Sequence, residues 1–257
     1  MIALLSRNLL FIKTRKTAST SVEVALSRFA TDRDVLTPLS PADENLRKSL
    51  GYSGAQNWEN PWVGSSRTSI SAGDEIDSQH SAYNHMSLVE AAQFLGETVD
   101  SLHVVSVVRN PWERVISRYY YNRSEPMKSV DGFRAWLLKN PSVIAENEKQ
   151  LESAENSNSI QYLRFESLSR DAARLASRFS LDHQFVDDII RVRCKSTFRP
   201  HSATVEMLFS GFTEGIALVE REAASVITEF GYSICSSGIG SLDRNPGKRT
   251  PATLLQT

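Results

Sequence analysis

Two short segments of this chain put hydroxyls, a fixed cation and backbone N–H groups where a strand would turn into a helix. Lys16-Thr17-Ala18-Ser19-Thr20-Ser21 follows the apolar run Leu9–Lys13. Arg109-Asn110-Pro111-Trp112-Glu113-Arg114 follows the run Leu102–Val108 and leads to Ser117. Unpaired N–H groups at a helix start, with the helix dipole behind them, attract anions. Ala18 lets the backbone approach closely, and Ser19, Thr20 and Ser21 add hydroxyl donors. Lys16 is a mobile cation able to follow charge onto a leaving group. In the second segment the Arg109 guanidinium and the Ser117 hydroxyl, two helical turns on, could grip a terminal phosphate. One such turn suits any anion. Two in one domain suit a nucleotide with phosphate groups at both ends. The plainer alternatives are a well-capped helix beside a lysine, and an Arg109 paired to an acidic neighbour while Ser117 packs.

A phosphoryl-transfer loop would read Gly-x-x-x-x-Gly-Lys-Ser/Thr. Here the lysine comes first and the loop has no glycine. Such an enzyme also needs an acidic Mg²⁺ ligand near the end of a neighbouring strand. The run Leu102–Val108 ends in Arg109 instead, which repels Mg²⁺ and attracts phosphate. Both points weigh against a nucleotide kinase or NTPase. No His/Cys/Asp cluster suggests a metal.

These residues need elements to hold them. Leu9–Lys13 reads as a buried strand, and the whole start Met1–Lys13 as the first strand. A helix is expected near Thr20, with Thr20 and Glu23 at capping-box spacing. Residues 31–80 read as an irregular insert with a short helix near Pro41–Leu50, and so long an insert is more often functional than idle. Ser87-Leu88-Val89-Glu90 is a second capping box, opening a helix through Leu95. Leu102–Val108 reads as a central parallel strand. Asn110 caps the next helix and Pro111 takes its first position; the helix should reach about Arg123. Arg114 and Arg118 read as surface charges, and at least one of Tyr119, Tyr120 and Tyr121 as core. Further helices are expected over Phe133–Leu138, Leu168–Phe179, Thr204–Phe209 and Thr213–Phe230, with a strand over Ile160–Phe165. The alternation predicts an α/β fold, a central parallel sheet flanked by helices. A single domain should cover residues 1–235, with a flexible tail over 236–257.

Composition sets the outer bounds. The 257 residues are 40% hydrophobic and 23% charged, ordinary for a globular chain. A net charge of −1 points away from wholesale nucleic-acid binding. Cys194 and Cys235 form neither a disulfide framework nor a zinc spacing, which suits a reducing compartment. The apolar start is interrupted by Ser6, Arg7 and Asn8, too short for a membrane span and without a cleavage site. The expectation is a cytoplasmic protein.

The two motifs, in this order and at this separation, resemble those of sulfotransferases that use 3′-phosphoadenosine 5′-phosphosulfate (PAPS). Lys16–Ser21 resembles the family's 5′-phosphosulfate loop, and Val108–Ser117 its 3′-phosphate motif. The likeness is greatest to the heparan and uronyl 2-O-sulfotransferase branch, whose loop also reads Lys-Thr-Ala-Ser-Thr-Ser. It extends to His85-Met86-Ser87-Leu88 and Tyr119-Tyr120-Tyr121. A weaker match covers Cys194–Leu208, where the family has a loop over the nucleotide. Phe165-Glu166-Ser167-Leu168 and Phe230-Gly231-Tyr232 are similar too. There are departures. Arg15 stands where the family usually has proline, and Tyr83-Asn84-His85 keeps only the last histidine of a His-Gly-His segment. No segment reads as the anchor of the Golgi relatives, so the acceptor is not carried over from that branch.

The resemblance implies a P-loop-like three-layer fold, PAPS as donor, 3′-phosphoadenosine 5′-phosphate (PAP) as product, no metal, and in-line transfer of a sulfuryl group to a hydroxyl. It assigns Lys16 to the bridging oxygen as the S–O bond breaks. Thr17, Ala18, Ser19, Thr20 and Ser21 would hold the 5′ end, and Arg109 and Ser117 the 3′-phosphate. His85 is the candidate base, on a loop facing outward from the sheet, since an imidazole titrates near pH 6.5. His80 is the alternative, followed by Glu75 and Asp77. His103 reads as structural. His183 and His201 read as remote from the sulfuryl group, although His201 falls in the covering loop. Lys195, Ser196 and Thr204 are further candidates for the nucleotide, or a polar surface loop. The acceptor is expected beside His85, touching residues 31–80 and Lys13. Arg33, Arg47, Lys48 and Arg67 are few cations for that stretch, which disfavours a heavily sulfated acceptor. A carbohydrate or glycoconjugate is expected. The alternatives are a kinase or NTPase, and a non-catalytic PAP-binding module.

Overall fold

The apolar start of the chain folds back on itself. In the computed structural model, Ile2–Leu4 (β1) and Leu9–Phe11 (β2) pair antiparallel, with Ile2 opposite Phe11. A 3₁₀ turn over Leu5–Arg7 joins them, closed by Asn8 at φ 51°, a residue type that tolerates the left-handed region. Met1–Lys13 is therefore two strands, not the one expected. The polar residues that interrupt the apolar run are its turn. The structure describes residues 1–59, 81–121, 128–152, 159–192 and 198–236.

Three more strands, Val35–Leu36 (β3), His103–Val108 (β4) and Gln161–Arg164 (β5), complete a sheet of order β3-β1-β2-β4-β5. β2 runs parallel to β4, and β4 to β5. β1 is antiparallel to both its neighbours, so it alone runs against the other four strands. The expected sheet is present and mostly parallel. Because β2 and β4 are parallel neighbours, the turns that leave them open on the same edge of the sheet.

Alternate side chains of β1 and β2 go to opposite faces, as a strand's period of two requires. Ile2, Leu4, Leu9 and Phe11 join a core with Ser19–Ser27 (α1), Leu168–Arg178 (α7) and Gln184–Arg191 (α8). Met1, Ala3, Leu10 and Ile12 face Leu88–Leu95 (α3). This is the three-layer, P-loop-like arrangement. Pro41–Ser49 (α2) lies at the β3 side, where Val24 of α1 and Leu46 of α2 share a small cluster. A separate core unites Pro111–Tyr121 (α4), Val130–Lys139 (α5), Val205–Phe209 (α9) and Thr213–Glu222 (α10). Glu146–Leu151 (α6) contacts α3, and Ala224–Phe230 (α11) places Phe230 against Tyr162 of β5.

Several local expectations are corrected. Thr20 and Glu23 form no capping box. Ala18 occupies the cap position, and Glu23 is fully buried and ion-paired to Lys13 at 2.9 Å. The capping box at Ser87–Glu90 is complete. The expected long helix Thr213–Phe230 breaks at Ala223 into α10 and α11. α6 and α8 were not foreseen. Arg114 is no surface charge: it is 2% exposed and donates to the carbonyls of Val143 and Ile144. Tyr119 and Tyr120 are core. Residues 237–257, most of the expected tail, lie outside the described residues. Among the described residues, no helix is long and apolar enough to cross a membrane.

Candidate functional site

β2 and β4 deliver the two segments to one place. After β2, the chain passes through Lys16 at φ 62° and Ala18 at φ 67°. Two non-glycine residues in the left-handed region within three positions are costly and persist only when their surroundings hold them. The loop is held from below. Thr14 Oγ1 donates to the Val107 carbonyl at 2.7 Å and lies 2.8 Å from Thr17 Oγ1 and 3.1 Å from Ser19 Oγ. Thr17 and Ser19 hydroxyls are 2.6 Å apart. Ser21 Oγ donates to the Val192 carbonyl. This revises the expectation that Ser19 and Ser21 offer hydroxyls to an anion, because both are bonded inward. What the loop presents is its backbone, Lys16 and Thr20. The N–H groups of Ser19 and Thr20 precede the first intrahelical bond, which runs from Ser21 N to Ala18 O at 3.0 Å.

At the end of β4, Asn110 Oδ1 accepts from the N–H groups of Trp112 (3.1 Å) and Glu113 (3.3 Å), the cap that the sequence predicts. Glu166 Oε1 accepts from Asn110 N at 2.7 Å, and Tyr232 donates to Glu166 Oε2 at 2.9 Å. Phe165-Glu166 and Tyr232 thus brace the second turn. Arg109 lies over the Phe165 ring at 4.1 Å and pairs with Glu113 at 3.1 Å. The acidic neighbour foreseen as the plainer alternative is therefore real. Glu113 is shared, however: Arg199 also binds it. Burial lowers the Arg109 pKa, and Glu113 opposes that shift. Arg109 Nη1 donates to the Lys16 carbonyl, so the two turns touch each other.

His85 sits in the turn before α3 at φ 64°. Its Nδ1 is 2.9 Å from the Lys13 carbonyl. A carbonyl can only accept, so Nδ1 carries the proton and the Nε2 lone pair is left available. Burial is the main cause that pushes the imidazole pKa down to about 3, with Lys13 adding to it. His85 is half-buried on the wall of the cleft.

The cleft has a volume of about 330 Å³, within the range of small-molecule sites. Lys16, Ala18, Ser19, Thr20, Ser21, His85, Arg109 and Ser117 all line it. Its apolar wall is Phe165, Leu168, Ile189 and Val192. Lys16 Nζ lies 3.8 Å from the centre of the Tyr121 ring, and Tyr121 packs edge-on against Phe198. Sequence reasoning missed Arg15, Arg118, Tyr121 and Arg199 as lining residues. Cation excess around the two turns was the signal that could have flagged Arg15 and Arg118; Arg199 is remote from both in sequence.

Other candidates fall elsewhere. Lys13 is 1% exposed and bound to Glu23, so it offers no charge to an acceptor. Arg47 is fully buried, whereas Arg33 and Lys48 are exposed. Thr204 caps α9, accepting from Met207 N at 3.1 Å, and is not among the lining residues. His103 is exposed at the start of β4, and His183 and His201 are exposed as well. His80, Glu75, Asp77, Arg67, Cys194, Lys195 and Ser196 lie outside the described residues.

Residues 5–213 match the model of the sulfotransferase family. Among curated proteins, none matches. A solved structure of the mouse sulfotransferase SULT7A1, complexed with PAP, is similar over 90% of this chain and 92% of that one, with 12% identity and a TM-score of 0.45.

Proposed function

This chain belongs to the sulfotransferase family, and from that premise we propose that it transfers the sulfuryl group of PAPS to a hydroxyl of a carbohydrate or glycoconjugate, with His85 as base. The observation that carries this reading is the convergence of Lys16, Arg109, Ser117 and His85, whose Nε2 is left unprotonated, on one cleft. The backbone at Ala18–Thr20 and the Lys16 ammonium hold the 5′-phosphosulfate. Arg109 and Ser117 take the 3′-phosphate, aligning the donor for in-line attack. The apolar wall of Phe165, Leu168, Ile189 and Val192 suits the adenine.

Nε2 of His85 takes the acceptor proton as the hydroxyl oxygen bonds to sulfur. The sulfur–oxygen bond to the 5′-phosphate breaks, and Lys16 stabilises the charge that collects on the phosphate. Burial holds His85 neutral, so it starts without a proton, and a base of so low a pKa gains strength only as negative charge gathers beside the ring in the transition state. Tyr83, two residues before His85, is 48% exposed and offers an aromatic face of the kind a sugar ring can stack on. With Lys13 and Arg47 buried, the acceptor side carries less positive charge than the sequence suggested, which supports a weakly charged acceptor.

Calorimetric titration with PAP tests the reading. Wild type should bind PAP with no Mg²⁺ present, and Lys16→Ala and Arg109→Ala should weaken binding. Absence of PAP binding by wild type sinks the proposal, and a strict Mg²⁺ requirement with ATP binding would replace it with a kinase or NTPase.

A further inference from the structure

α6 is only six residues long and contributes nothing to the sheet. Two of its side chains, Asn147 and Gln150, stand one helical turn apart and are 7% and 8% exposed. Asn147 Oδ1 accepts from Arg15 N at 2.8 Å, and its Nδ2 donates to Arg15 O at 3.0 Å. One carboxamide thereby holds both backbone groups of the residue before Lys16. Gln150 Nε2 donates to the Lys13 carbonyl at 2.8 Å and to the Met86 carbonyl at 3.0 Å. Lys13 O is the same oxygen that meets His85 Nδ1, and Met86 is the residue after His85.

The four bonds go to the backbone of two loops and to nothing else. The loops are remote in sequence, and Arg15 of one and His85 of the other both line the cleft. α6 is itself anchored to α4, the helix that bears Ser117. Arg114 of α4 lies 3.6 Å from Glu146 and 3.5 Å from Glu148, and Arg118 lies 3.6 Å from Glu146.

We propose that Asn147 and Gln150 are positioning residues, and that this one helix sets the placement of His85 against the loop that carries Lys16. The inference rests on the reading of His85 as the base. Gln150 fixes the His85 loop by donating to the Met86 carbonyl and to the Lys13 carbonyl that also meets His85 Nδ1, tying the two loops together in a dry setting. It also leaves Lys13 O aligned to accept from Nδ1, which keeps the Nε2 lone pair toward the cleft. Asn147 fixes the entry of the donor loop. A glutamate at 150 would set a carboxylate against two carbonyls, so the amide is required for its donors rather than for its shape.

Two variants separate the arms. Gln150→Met should hold PAP affinity within about threefold and lower kcat by about tenfold or more, the scale of one lost placement interaction. Asn147→Leu should instead raise the PAP Kd by about tenfold, the scale of one carboxamide's hydrogen bonds. Nitrogen-detected NMR of the imidazoles gives a readout that ordinary destabilisation would not move. Wild-type His85 should stay the neutral Nδ1–H form through the mildly acidic range. In Gln150→Met the ring should leave its buried seat, lose the fixed Nδ1–H tautomer and titrate higher, toward the ordinary histidine value near 6.5, because burial is the main cause that holds it low. Lys13, Arg15 and Glu23 are the charged groups acting on the ring, and all three are unchanged in that variant. Should Gln150→Met fail to fold, Gln150→Asn, whose shorter amide reaches one carbonyl at most, carries the same measurements. A folded variant with wild-type kcat and a wild-type His85 spectrum overturns the proposal. If wild type binds no PAP, the sulfotransfer reading fails on its own, and the imidazole spectra still decide whether Gln150 places His85.

Discussion

Arg109 Nη1 donates to the carbonyl oxygen of Lys16 at 3.2 Å. The two turns are thus one unit, and the arginine proposed to face the 3′-phosphate also fixes the backbone proposed to hold the 5′ end. Arg109→Ala should raise the PAP Kd by about 10–100-fold, the scale of charge-assisted hydrogen bonds lost from a buried site. Arg109→Lys should recover little of this, because an ammonium cannot reach phosphate, Glu113 and the Lys16 carbonyl at once. Calorimetry with both variants decides; wild-type affinity in Arg109→Lys would refute the link between the turns.

The pH profile should show how His85 is held. Burial pushes its pKa to about 3, so the imidazole is already neutral at mildly acidic pH. The kcat/KM profile should therefore show no acid limb near 6.5. His85→Asn should lose transfer while keeping PAP affinity within a few-fold. The stability sign follows from the same shift. Unfolded histidine binds a proton below about 6.5 and the folded one does not. Stability from this group is therefore present above 6.5 and is lost as pH falls toward about 3. Melting curves between pH 4 and 7 should fall more steeply for wild type than for His85→Asn.

Ala18 gives a test of backbone strain. At φ 67° it sits where a Cβ is disfavoured. Ala18→Gly should be neutral or stabilise by up to about 1 kcal/mol, since relieved strain outweighs the added entropy of unfolded glycine. Ala18→Val should destabilise by about 2 kcal/mol and weaken PAP binding, because a branched side chain resists this conformation. Thermal melts of both variants check the order. A less stable Ala18→Gly would show that the positive φ costs nothing here.

The buried pair of Lys13 and Glu23 should matter to stability and not to the acceptor. Both are at most 1% exposed. Lys13→Met leaves Glu23 with the Met1 ammonium, 3.0 Å away, as its remaining buried partner, at a cost of about 2–3 kcal/mol, below that of a wholly unpaired buried charge. Denaturant unfolding measures it, and a loss below about 1 kcal/mol would contradict the pairing. Glu23 is held down to about 2 despite burial, chiefly by Lys13. Its contribution is thus present above the ordinary carboxylate value and is lost as pH falls through about 2.

The two turns were legible because their chemistry is local. A strand end, a cap and a cation lie within a few residues, and the capping of α4 by Asn110 needed nothing more. The rest depends on contacts that spacing does not encode. Glu23 stands three residues after Thr20, as a capping box requires, yet burial beside Lys13 decided its role. Arg114 read as surface because α6, which covers it, has no strong apolar period. The tautomer of His85 is set by a carbonyl 72 residues earlier in the chain. Arg199 is held at the cleft by Glu113, which it shares with Arg109, and by the Ala203 carbonyl.

The reversal of β1 has a consequence for how the molecule opens. It places β2 in the middle of the sheet, between β1 and β4. The root of the Lys16 loop is thereby latched on both edges, with Ile12 N still bonded to Val105 O beyond the strand's end. Local fluctuations that fray a sheet begin at its margins. Hydrogen exchange at Leu10 and Phe11 should accordingly proceed only through global unfolding, while β3 and β5 exchange sooner. The cleft's floor is among the last parts of the molecule to come apart.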